Sequence, residues 1–175
     1  MESPGVLAPD RTGKHRAGDG PALLKNSNSK DRFMSAPVDE VTRLAEEAVT
    51  AFQERANGSL DYSIASLVMI DEILAESAPL SKNWKPENLD WLIQLIGCYI
   101  LEVARRAHGG KIYWFKSRNQ PVLAVGEPHF KIALLTWDRV RQRLAGDHAD
   151  NIPFYFDGFS QRVLNAVDGD DVLCV

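Results

Sequence analysis

Pro86-Glu87-Asn88-Leu89-Asp90-Trp91-Leu92-Ile93-Gln94-Leu95-Ile96-Gly97-Cys98-Tyr99-Ile100-Leu101-Glu102-Val103-Ala104-Arg105-Arg106-Ala107 runs from a proline suited to a first helical turn to the helix-ending His108-Gly109-Gly110. At about 100° per residue, Leu92, Ile96, Tyr99, Ile100, Val103 and Ala107 share one face. Trp91, Leu95, Cys98 and Leu101 cover much of the opposite face. A helix apolar nearly all round is covered on both sides, so residues 86–107 are expected at the centre of the fold. Gly97 would allow close helix contact, Tyr99 supplies core area, and Glu102 is the polar exception. A carboxylate inside such a helix must be paired or hydrogen-bonded, and Arg106, four residues on, is the nearest partner. All three are read as structural residues.

Working outward, Ser35 is a suitable helix N-cap, with Asp39 and Glu40 complementing the dipole. Val41, Leu44, Ala45, Val49 and Phe52 recur at helical spacing and predict a first helix to about Ala56, closed by Asn57-Gly58. Ser63 can cap a second helix carrying Ile64, Leu67, Val68, Ile70, Ile73 and Leu74 to Glu76, and residues 77–85 read as a loop. Downstream, Lys111-Ile112-Tyr113-Trp114-Phe115-Lys116 and Val122-Leu123-Ala124-Val125 form a hairpin over 111–125, with Pro121 opening its second strand. Residues 130–144 show roughly helical spacing, and a last helix follows Asn151 with Pro153 in its first turn. The expected fold is α+β: three helices, a β-hairpin, then two helices. Residues 1–34, with nine apolar residues and seven glycines and prolines among the first 33, read as a disordered arm. Met34 offers an alternative start of translation. Residues 35–166 form the expected single domain and 167–175 an acidic tail.

The chain has 175 residues, 45% hydrophobic and 25% charged, which excludes a wholly disordered or fibrous protein. No segment has the length and apolarity of a signal peptide or a membrane span. Two cysteines, Cys98 and Cys174, make no disulfide framework, so a cytoplasmic location is expected. The net charge of −4 hides blocks. Residues 38–76 carry nine acidic and two basic side chains, while 105–143 carry nine basic and two acidic. One reading is that the blocks neutralise each other. The sharper one is that Asp39, Glu40, Glu46, Glu47 and Glu54 present an acidic rim to a basic protein partner, since complementary potential speeds association and selects partners. The rival site is the hairpin. Lys111, Tyr113, Trp114, Lys116 and Arg118 combine cations with flat rings, as single-stranded nucleic acid requires.

Catalytic grammar is missing. There is no nucleophile elbow, phosphate loop or dinucleotide fingerprint. His15, His108, His129 and His148 are too scattered for a zinc motif, and Asp168-Gly169-Asp170-Asp171 lacks calcium-loop spacing. No catalytic residue, cofactor or metal is therefore expected. His108 suits a helix C-terminus, and Cys98 reads as a small core hydrophobe.

Leu60-Asp61-Tyr62-Ser63 before a leucine-rich helix, Gly97-Cys98-Tyr99-Ile100-Leu101-Glu102-Val103-Ala104-Arg105-Arg106, then Gly109-Gly110 and an aromatic strand, resemble small bacterial proteins of no established activity. The resemblance covers roughly residues 58–160. Such proteins look like those encoded near toxin systems, where they serve as binders. The resemblance implies a binder rather than an enzyme and names no partner. Together with the missing catalytic grammar, the acidic block and the apolar helix, it gives the expected function: a non-catalytic protein-binding module, an immunity or adaptor protein, whose partner is another protein such as a basic toxin. Nucleic-acid binding through the hairpin, and an enzyme with a pocket assembled from scattered residues, are the alternatives.

Overall fold

The computed structural model describes residues 33–35, 38–146 and 151–175. In chain order it holds β1 (Phe33–Ser35), α1 (Val38–Phe52), a 3-10 turn (Ile64–Ser66), α2 (Leu67–Ser81), α3 (Pro86–His108), β2 (Lys111–Phe115), β3 (Gln120–Val125), β4 (Lys131–Leu135), α4 (Trp137–Leu144), α5 (Ile152–Leu164) and β5 (Asp171–Cys174). The class is α+β, a mostly helical part followed by a sheet.

The sheet order is β1-β2-β3-β4-β5. The first four strands pair antiparallel, and β5 pairs parallel to β4 after the α4–α5 crossover. The five helices among the described residues send their buried apolar residues into one cluster with Ile112, Leu123, Val125, Ile132, Leu134 and Cys174, so they share one side of the sheet. At its centre lies α3, where the ten residues from Leu95 to Ala104 are all buried. No helix among the described residues is long and apolar enough to cross a membrane.

Several expectations about element order are corrected. Residues 130–144 are not one helix: Lys131–Leu135 is β4, and α4 starts only at Trp137. The run Ile132-Ala133-Leu134-Leu135 is buried on both faces of the sheet and so lacks the period-two alternation that marks a half-exposed strand. The acidic tail is, over Asp171–Cys174, the strand β5, its acidic residues confined to the exposed end. Ser35 does not cap a helix but ends β1. Helix α1 stops at Phe52, and α2 continues through Pro79 to Ser81 instead of ending at Glu76. The disordered-arm expectation falls on residues 1–32, outside the described residues, apart from the strand at Phe33–Ser35.

Local sequence explains the junctions. Ser63 caps the 3-10 turn, its hydroxyl accepting from the Ser66 N–H at 3.2 Å. Asn151 caps α5 by accepting from the Phe154 N–H at 2.8 Å. Gly97 lets α4 approach α3: a Cβ there would stand 2.3 Å from Cδ1 of Trp137. Beside it the Thr136 hydroxyl donates to the Gly97 carbonyl at 2.8 Å.

Candidate functional site

Helix α3 links a surface face to a buried polar network. On the surface, its first turns pack beside the end of α1, and Trp91 is 45% exposed. The Trp91 indole donates to Glu47 at 3.3 Å. Glu47 and Glu40 both accept from Arg43, at 3.0 and 2.7 Å, as the i+4 and i−3 neighbours of that arginine on one helix face. The Arg43 hydrogen bond holds the Glu40 carboxyl below its ordinary pKa. Asp39, Glu46 and Glu54 are exposed and carry no ion pair among the described residues. Four of the five proposed rim residues thus belong to α1, two clamped on Arg43 and two free. Glu54 lies in the turn after the helix.

Each charge block is paired only in part from within, and neither is neutralised there. Arg43 and Arg55 serve carboxylates of the acidic block, the latter through Glu76. Arg118 and Arg141 of the basic block share Asp138, at 2.8 and 3.0 Å. The blocks meet where Arg143 forks onto Asp71, its Nε and Nη2 donating at 2.9 and 3.0 Å. This leaves the outer side of α1 acidic.

The interior network joins residues far apart in sequence. Glu102, 1% exposed, accepts from Arg105 at 2.8 and 2.9 Å and from Arg106 at 2.9 Å. The Arg106 guanidinium lies 3.8 Å from the centroid of the Tyr62 ring, which stacks on Tyr99 at 5.0 Å. The Ser66 hydroxyl donates to the Ser63 carbonyl at 2.6 Å, which leaves the Tyr99 hydroxyl to donate to Ser66 at 2.7 Å. The same Tyr99 oxygen accepts from the Tyr62 N–H at 3.1 Å. Tyr62 has φ of 62°, a conformation costly for an aromatic residue and held here by that bond, the stack and the arginine. The quoted segments Leu60-Asp61-Tyr62-Ser63 and Gly97–Arg106 therefore meet in space.

Burial drives the Glu102 carboxyl upward, but hydrogen bonds and charge from Arg105 and Arg106 outweigh it and hold its pKa below the ordinary value. A folded pKa below the unfolded one means that its stabilisation is complete above the unfolded pKa, about 4.3, and disappears as pH falls through the folded value. Acidification from pH 5 is expected to lower the Tm of the wild type more than that of Glu102→Gln. The difference between their Tm values should shrink toward zero as the wild-type carboxyl protonates. Parallel Tm profiles would contradict the pairing.

The hairpin residues do not form one platform. Tyr113 and Trp114 point to opposite faces, the Tyr113 hydroxyl donating to Glu127 at 2.6 Å and Trp114 lying edge-on to Trp137 at 6.0 Å. Lys111, Lys116 and Arg118 are exposed, the last bound to Asp138. A crevice of about 310 Å³ lies between Arg118, Asn119, Gln120, Trp137, Arg141 and the Asp90 side of α3. Its cations are already engaged by Asp138. Burial pushes the nearby Cys98 thiol up to about 12, which removes the thiolate a nucleophile needs. Cys174 is likewise buried, with its thiol raised by burial. His108 closes α3 against Phe156 and Phe159, hydrogen-bonded to Ser160 at 2.9 Å, and burial lowers its pKa. Among the described residues no three His, Cys, Asp or Glu side chains gather as metal ligands. His15 and His148 lie outside the described residues.

Sequence reading missed the exposure of Trp91 and the parts of Arg43, Tyr62 and Arg105. The Glu40–Arg43–Glu47 spacing was the readable signal for one of these; the contact between Tyr62 and Arg106 spans 44 positions and had none. The resulting surface is an exposed ring set among carboxylates. Set against protein-family models, curated proteins and solved structures, the chain matches none of them.

Proposed function

We propose that this chain is a non-catalytic, cytoplasmic protein-binding module, in its specific version an immunity or adaptor protein for a basic partner such as a toxin. The observation that carries the reading is Trp91, half-exposed and held by Glu47 at the edge of an acidic helix face. An aromatic anchor surrounded by charge is the common arrangement of binding hot spots, the ring supplying affinity and the rim supplying on-rate and selectivity. Asp39, Glu40, Glu46, Glu47 and Glu54 are the rim in this reading.

Capture of a basic protein from the native host, with purified binding kinetics afterwards, tests it. Charge reversal at Glu46→Lys and Glu47→Lys is expected to lower kon by tenfold or more at low salt, with the gap narrowing as salt rises. Trp91→Ala is expected to raise koff. A chain that instead captures RNA or DNA, with affinity lost on Lys116→Glu and Arg118→Glu and unchanged by the α1 reversals, would replace this reading with the hairpin one.

A further inference from the structure

Trp137, the first residue of α4, belongs to the walls of two adjoining hollows. One is the crevice of about 310 Å³ that holds Arg118, Gln120 and Arg141. The other is a pocket of about 140 Å³ among Val41, Leu44, Cys98, Trp114 and Pro121. Gln94 and Trp137 line both, so the two form one cleft along α3. The smaller end is apolar: Cys98 and Pro121 are buried, and Trp114 stands edge-on to Trp137. Glu40 also lines it, with its carboxylate already held by Arg43. An apolar hollow of about 150 Å³ takes one benzene ring.

The larger end is built from donors that lack acceptors. Gln120, 1% exposed, accepts from the Trp137 backbone N–H at 3.0 Å through Oε1. That bond fixes which end of the amide is oxygen, and the buried Nε2 has no acceptor among the described residues. The Trp137 indole N–H is buried and lacks one as well, its neighbour being the Cys98 sulfur, outside hydrogen-bond geometry. Arg118 and Arg141 each give one N–H to Asp138 and keep the rest of the guanidinium fork. Buried donors without partners are costly, so an occupant that brings acceptors is favoured over one that brings donors. Asp90, exposed, is the one carboxylate lining this end among the described residues. We infer that the cleft binds a small carboxylate bearing a single ring, the ring beside Trp114 and the carboxylate among Gln120, Arg118 and Arg141. The inference does not rest on the protein-binding reading.

The test titrates phenylacetate into the full chain, followed by calorimetry and heteronuclear NMR. A Kd of about 1 mM or tighter is expected for a ligand of this size. The side-chain amide signal of Gln120 and the indole signal of Trp137 should move during the titration. Phenethylamine carries a cation in place of the carboxylate and is expected to bind about tenfold more weakly or worse. The two lining charges should act with opposite signs. Arg118→Met is expected to weaken phenylacetate about tenfold, and Asp90→Asn to tighten it about twofold. Both side chains are exposed, so an unchanged Tm for each variant checks that the fold is kept. Wild type that fails to bind phenylacetate at about 10 mM would overturn the site. So would phenethylamine binding as tightly as the carboxylate, or signal changes confined to Trp84 and Trp91, which lie outside the cleft walls.

Discussion

Tyr99→Ala is expected to remove about 3–5 kcal/mol of stability, the range for truncating a fully buried aromatic ring. The ring is 0% exposed at the middle of α3 and carries the stack under Tyr62. Losing it also strands the Tyr62 N–H, which donates to the Tyr99 oxygen, while the Ser66 hydroxyl loses one donor and keeps its own bond to the Ser63 carbonyl. Tyr99→Phe separates the two parts. It keeps the ring and removes only the oxygen, at about 1–2 kcal/mol. Urea denaturation with an unchanged m-value would measure both. A loss below 1 kcal/mol for the alanine variant would show that the centre of the core lies elsewhere.

Asp71→Ala is the second large effect, at about 3 kcal/mol. The carboxylate of α2 accepts the Arg143 fork from α4 and the Ile152 N–H that opens α5, so one side chain ties three helices. Removing it takes away the carboxylate on which the Arg143 fork, 7% exposed, rests, and breaking such a buried pair costs more than the pair contributes. Arg143→Met added to Asp71→Ala should recover part of the loss, since the buried guanidinium that faced Asp71 is gone. Additive losses in the double variant would mean the two residues act separately.

Elements governed by local periodicity were legible. The span of α3 was read to within a residue, because its caps and its all-round apolarity are both local. The hairpin was legible through its aromatic run and Pro121, which opens β3 at its second residue. What failed was of another kind. Strand β4 looks helical because a strand buried on both faces has no alternation, and β5 is four residues that become a strand only by lying against β4. Glu102 was legible as an anchored carboxylate with Arg106. Its second partner Arg105 stands at the i+3 position, a spacing equally present in the sequence. By spacing alone Trp91 belongs to a covered face, whereas the helix start extends past the layer that covers its middle.

The position of β5 has a consequence for synthesis. The outer edge of β4 is closed by Asp171–Cys174, and Arg139 fastens the following residue through the Val175 carbonyl at 3.0 Å. Until those residues leave the ribosome, a nascent chain carries a finished helical layer and a sheet with one apolar strand edge unpaired. Such an edge pairs readily with a neighbouring chain. Premature termination anywhere between α5 and Cys174 should therefore yield aggregates rather than a shortened soluble domain, and the vulnerable interval lasts from the emergence of β4 to that of β5.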